Sequence, residues 1–134
     1  MRFLVDSSVW IAYLRGTETA ETAILDTFLE DAGQHVVVLG DLIACEVLRG
    51  VRWPAQLPRI TRLFEAMPIV DLGGYDVARS AAALYRDLRV FGATVDSTID
   101  ILIAAWCIRN DCALLHADRD FDPVEAHFGL RVVR

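Results

Sequence analysis

The chain has 134 residues, 54% of them hydrophobic, with nineteen acids against thirteen bases and a net charge of −6. That length and apolar content suit one domain over residues 1–134 with a proper core, and they exclude a disordered chain. No run of about 18 uninterrupted apolar residues and no secretory signal is present, so the expectation is a cytoplasmic protein without membrane contact.

"RFLV" predicts a short buried strand, and "SVWIAYLRG" the helix after it, stopped at Gly16. "ETAETAILDTFLEDAG" carries helical spacing at Ala20, Ile24, Leu25, Phe28 and Leu29. "HVVVL" is a second strand, rich in β-branched residues, and "DLIACEVLRG" a helix capped by Asp41 and ended by Gly50. Pro54 and Pro58 mark a corner before the helix "RITRLFEAM", and "PIVDL" is a third strand. "YDVARSAAALYRDLRVFG" is a long amphipathic helix closed by Gly92, while "DSTIDILIAAWCIRN" is apolar almost all round and therefore buried. "CALLHA" is a fourth strand, "RDFDPVEAHFG" a loop and short helix, and "LRVV" a closing fifth strand.

Strands alternating with helices predict an α/β fold: a parallel sheet, here five-stranded, covered on both faces with right-handed crossovers. Ligands in such sheets sit at the carboxyl ends of strands, near the point where strand order reverses. In the order 3-2-1-4-5 the first and fourth strands flank that crevice.

Cys45, Cys107 and Cys112 lie in apolar stretches without a paired spacing and read as buried, reduced thiols. His35, His116 and His127 show no zinc spacing. The acidic balance disfavours general binding to nucleic acid. Yet every base is an arginine, and Arg49, Arg52, Arg59 and Arg62 fall in an acid-free interval between Glu46 and Glu65. That interval is either a solvated helical face or a local basic patch.

Four acids have apolar neighbours or end a strand: Asp6, Glu46, Asp100 and Asp118. A carboxylate withdrawn from water is costly unless it is paired or binds a metal. Singly, each has an ordinary structural role open to it: Asp6 as an N-cap, Asp100 against a helix dipole, Glu46 on a helix surface. Set together at one rim, they repel and raise one another's pKa unless a cation neutralises them. Asp6 is then read as a ligand, and Ser7 or Ser8 as the cap or as the group that holds its carboxylate. Oxygen ligands without histidine or thiolate select hard cations such as Mg²⁺ or Mn²⁺, whose natural chemistry is phosphoryl transfer.

"VDSSVWIAYL", "CEVLRG", "IDILIAAWC" and "LLHADRDF", in this order over essentially the whole chain, resemble the motifs of PIN-domain ribonucleases, nearest to the VapC-like toxins of toxin–antitoxin pairs. The resemblance implies a three-layer α/β/α sandwich around the parallel sheet. It also implies a Mg²⁺- or Mn²⁺-dependent endoribonuclease that leaves a 5′-phosphate and a 3′-hydroxyl. Asp6, Glu46, Asp100 and Asp118 match the acidic centre, with Asp6, Asp100 and Asp118 as metal ligands and Glu46 completing the shell or orienting water. Asp120 matches an acid near the site. His116 stands where the family often has threonine or serine; donating to a carboxylate, binding phosphate when protonated and filling space are all open to it, and the donor reading is preferred to that of a metal ligand. Arg15, Arg49 and Arg52 are candidate phosphate contacts. The implied partners are an RNA substrate, a second copy of the chain and a VapB-like antitoxin, with DNA binding left to the antitoxin.

Rival readings are a PIN nuclease of RNA processing and a binding module whose acids form only structural ion pairs. An aspartate phosphatase of the haloacid-dehalogenase type needs a second acid where Ser8 stands. Receiver domains and P-loops need a lysine, which the chain lacks.

Overall fold

The computed structural model describes residues 1–31 and 33–134. Ala32, inside the segment expected as the second helix, lies outside the described residues.

β1 (Arg2–Val5) is the centre of the sheet. It pairs in parallel with β2 (Val36–Gly40) through Phe3↔Val37 and with β4 (Ala113–Leu115) through Leu4↔Leu114. β3 (Ile69–Val70) joins the outer edge of β2, giving the order β3-β2-β1-β4 among the described residues. The expected fifth strand is corrected. "LRVV" does run beside β4, but it meets it in one parallel bridge, Leu114↔Val132. The chain reaches that edge only after the left-handed turn at Gly129 (φ 74°), and its backbone bonds to the strand lie only on either side of Leu114, with Arg131–Asp111 and Arg134–Glu125 pairs beside them.

The helices are α1 (Ser7–Leu14), α2 (Ala20–Glu30), α3 (Asp41–Arg49), α4 (Leu57–Glu65), α5 (Tyr75–Val90), α6 (Thr98–Arg109) and α7 (Asp122–Phe128), with 3₁₀ turns at Pro54–Gln56 and Arg119–Phe121. α6 buries Ile101, Ile103, Ala104, Ala105, Trp106 and Cys107, which is why its sequence is apolar on every side. Trp10 of α1 is fully buried and meets the Phe64 ring of α4 edge-on, with centroids 5.3 Å apart. Large side chains buried to this degree contribute about 1.5–3 kcal/mol each. Among the described residues no helix is long and apolar enough to cross a membrane.

Three local expectations change. Asp41 does not cap α3. Gly40 holds that position, and Asp41 Oδ1 accepts the backbone N–H groups of Leu42 (2.8 Å) and Leu72 (2.9 Å), tying the start of α3 to the chain beyond β3. A Cβ on Gly40 would run into the Leu72 side chain, so glycine belongs there. α4 begins at Leu57, because Pro58 occupies the first turn, where its missing N–H costs nothing. Cys45 is exposed, since α3 buries Ile43 and Val47 on its opposite side, whereas Cys107 and Cys112 are buried as expected.

Candidate active site

β1 ends at Val5, and Asp6 turns the chain into α1. Its backbone N–H donates to Leu115 O at 2.9 Å, which locks the rim of β1 to that of β4. Its carboxylate is buried, and Oδ2 accepts the Ser8 hydroxyl at 2.7 Å and the Ser8 N–H at 3.4 Å. Asp6 is therefore the N-cap of α1, correcting the expectation that a serine takes that role. Ser8 holds the carboxylate, and the Ser7 N–H also lies against it. Asp6 Oδ1 is buried with no partner among the described residues. Burial pushes the Asp6 carboxyl above its ordinary range, against the opposing pull of Ser8.

Asp100 stands in the first turn of α6, its N–H donating to the N-cap hydroxyl of Ser97 at 3.3 Å. Its carboxyl is pushed up to about 7, first by burial and then by the negative fields of Asp6, Asp118, Glu46 and Asp120. Glu46 reaches this field from α3, with Oε1 buried and unpartnered. Asp118 follows β4 and caps the turn Arg119–Phe121, its Oδ1 accepting the Asp120 N–H at 2.9 Å. Asp120, on that turn, stays exposed. Oxygen atoms of Asp100, Asp118 and Asp120 all lie within 4.8 Å of one another. Asp120, expected only near the site, belongs to its tightest trio. The signal in the sequence is an acid two residues past Asp118, at the position whose backbone N–H an aspartate side chain turns back to meet.

His116 Nδ1 accepts the Asp118 N–H at 3.1 Å, which in the neutral ring leaves Nε2–H as the donor. Its ring leans on Phe121, centroids 4.8 Å apart, and Nε2 is buried without a partner. A cleft of about 420 Å³ opens beside it, lined in part by His116, Asp118, Arg119 and Arg134.

Among the described residues none of the arginine candidates pairs with an acid of the cluster. Arg15 and Arg52 line one cleft at the far ends of α1 and α3, while Arg49, in the last turn of α3, is exposed and lies outside its lining. Among the described residues no ion pair reaches Asp6, Glu46, Asp100, Asp118 or Asp120. A structural ion-pair network therefore does not account for these carboxylates. The donor set is all oxygen, two buried oxygens lack partners among the described residues, and the neighbouring acids push Asp100 up. These properties fit a hard divalent cation.

Comparison with known proteins follows the same lines. Residues 3–126 match the PIN domain family. VapC ribonuclease Mb1587 of Mycobacterium bovis is 31% identical over 121 residues, covering 90% of each chain. Ribonuclease VapC11 of Mycobacterium tuberculosis matches to the same extent, 31% over 121 residues and 90% of each chain. Among solved structures, VapBC2 from Rickettsia felis bound to a promoter DNA fragment is similar at TM-score 0.77 and 12% identity, covering 99% of this chain and 98% of that one. VapBC-1 from nontypeable Haemophilus influenzae gives TM-score 0.75 at 14% identity, covering 99% and 97%.

Proposed function

The chain belongs to the PIN-domain family, as a relative of the VapC ribonucleases, and from that premise we propose a metal-dependent endoribonuclease acting as the toxin of a toxin–antitoxin pair. It is a nuclease that hydrolyses RNA phosphodiester bonds, with residues 1–134 working as a single PIN domain in the cytoplasm. Asp6, Asp100 and Asp118 hold the cation, Mg²⁺ or Mn²⁺, with Asp120 beside them. When bound, the ion lowers the pKa of a water and offsets charge on the phosphoryl oxygens.

The chain's own groups do the rest. Glu46 presents its unpartnered Oε1 to orient the attacking water and take its proton. Ser8 fixes the Asp6 carboxylate, and His116 fixes the backbone that carries Asp118. Arg15, Arg49 and Arg52 face the phosphates of the strand, and the products carry a 5′-phosphate and a 3′-hydroxyl. The protein works as a homodimer and is neutralised by a VapB-like antitoxin. A basic antitoxin side chain entering the acidic cluster supplies the counter-charge the cluster lacks, and DNA contact comes from the antitoxin.

One observation carries this reading: Asp100 is pushed up to about 7 among carboxylates that have no cationic partner among the described residues. The test is RNA cleavage by antitoxin-free protein in Mg²⁺ or Mn²⁺, wild type against Asp100→Asn. Cleavage by the wild type alone is expected. Equal cleavage by both, or none by a folded wild type, overturns the reading.

A further inference from the structure

Trp53 is 62% exposed, whereas the other two tryptophans, Trp10 and Trp106, are 0% and 6% exposed. An indole held in water forgoes the large stabilisation that burial of its area would bring. Trp53 precedes the Pro54–Gln56 turn and lines a cleft of about 680 Å³ with Leu14, Arg15, Val51, Arg52 and Gln56.

The charge around it reverses that of the protein. No acid occurs between Glu46 and Glu65, while Arg49, Arg52, Arg59 and Arg62 do, and Arg15 arrives from α1. Among the described residues, none of these five guanidinium groups makes an ion pair or a side-chain hydrogen bond. Arg2, Arg79, Arg109, Arg131 and Arg134 are each engaged by a carbonyl or a carboxylate. Arg86, Arg89 and Arg119 are equally uncommitted among the described residues; what sets this cleft apart is that two uncommitted guanidinium groups, of Arg15 and Arg52, line it together with the most exposed tryptophan of a chain of net charge −6. The matching ligand is anionic, repeating and planar in part. Single-stranded RNA has all three properties, since every base offers a face for stacking and every linkage a phosphate for arginine.

The cleft also lies within reach of the acids. Asp6 caps the start of α1 and Arg15 its end, about 13 Å apart along the helix axis. Glu46 stands on α3, and Arg52 and Trp53 follow just beyond that helix.

We propose that this cleft is a subsite for single-stranded RNA flanking the scissile bond, in which one base stacks on Trp53 and Arg15 and Arg52 take the adjoining phosphates. The proposal rests on the nuclease reading above and adds to it where the strand lies.

The test uses antitoxin-free Asp100→Asn protein in Mg²⁺, titrated with a short oligouridylate. Quenching of tryptophan fluorescence is expected, because the exposed indole is the one that stacks. Adding Trp53→Ala removes the quench and weakens binding about tenfold, whereas Trp53→Phe keeps affinity within about threefold. Removing both Arg15 and Arg52 flattens the salt dependence of binding by about 0.7 in slope for each phosphate left without its arginine. In otherwise wild-type protein, Trp53→Ala raises KM about tenfold and leaves kcat unchanged, a split that general structural damage would not produce.

Unchanged affinity and KM in Trp53→Ala overturn the subsite and leave the nuclease reading standing. Unchanged RNA affinity with weakened self-association or antitoxin capture also overturns it, and assigns the cleft to a protein partner. A folded, antitoxin-free wild type that neither binds nor cuts RNA overturns both readings.

Discussion

Ser8 donates its hydroxyl to Asp6 Oδ2 at 2.7 Å, which leaves Oδ1 as the carboxylate oxygen with no partner among the described residues. One oxygen serves the helix and the other stays buried and uncommitted, on a carboxyl that feels the charge of Asp118. Ser8→Ala retains the backbone N–H bond to Oδ2, so the stability loss is small, about 1 kcal/mol by thermal melting. Cleavage falls roughly tenfold, because the carboxylate is no longer held in one orientation. A rate equal to wild type would mean that the hydroxyl does not orient Asp6.

Asp100 links the site to stability through pH. Its folded-state value, about 7, lies above the ordinary aspartate value of 3.8, so folding favours its protonated form. That contribution is fully present below the unfolded value and is lost as pH rises through about 7. Asp100→Asn, which carries no charge, is therefore expected to raise the Tm of metal-free protein at pH 8 and to leave it little changed near pH 4. The same variant loses cleavage, trading activity for stability. Melting curves in EDTA at the two pH values check the sign.

A divalent cation that binds the folded protein alone stabilises it by mass action, about 2.7 kcal/mol at a hundredfold excess over Kd. Mn²⁺ is expected to raise the Tm of antitoxin-free protein, and EDTA to reverse the rise. Asp118→Asn is expected to remove most of the effect while folding normally. A rise of the same size in Asp118→Asn would place the ion elsewhere.

Gly40 precedes α3 and so sets the position from which Glu46 is delivered. Gly40→Ala drives a Cβ into Leu72, which is fully buried, and overpacking of this kind costs about 1–3 kcal/mol. Gly74→Ala, with open space at its Cβ, is the control and is expected to change stability by about 0.5 kcal/mol or less. Urea denaturation of the two variants separates crowding from a general dislike of alanine.

The acids Asp6, Glu46, Asp100 and Asp118 were legible because each interrupts an apolar stretch or ends a strand, and such positions are costly without a reason. Asp120 was harder, since an acid two residues past another reads as an exposed turn until that turn closes on Asp118 Oδ1. The role of Asp41 depends on the Leu72 N–H, 31 residues away, which no local capping rule can see. The β-branched "LRVV" has a strand's composition, but pairing is set by how the chain arrives, and it meets β4 at Leu114 alone. His116 has two ring nitrogens, and only the placement of the Asp118 N–H decides which one works and as what.

β1 is hydrogen-bonded along both edges, and the Asp6 amide extends that ladder to Leu115. Its amides open only when the sheet itself separates, so in deuterated buffer they are expected to exchange at the rate of global unfolding. The strap at Val132 and Val133 has backbone bonds only on either side of Leu114, and the exposed pairs Arg131–Asp111 and Arg134–Glu125 that flank it are weak in water, so it exchanges sooner than β1 and can open without disturbing the rim. The first carboxylate of the site thus sits in the slowest-opening unit of the chain. A protease or chaperone acting on the frayed end meets a protein whose acidic rim is still assembled, and disarming it by unfolding means taking down the whole sheet.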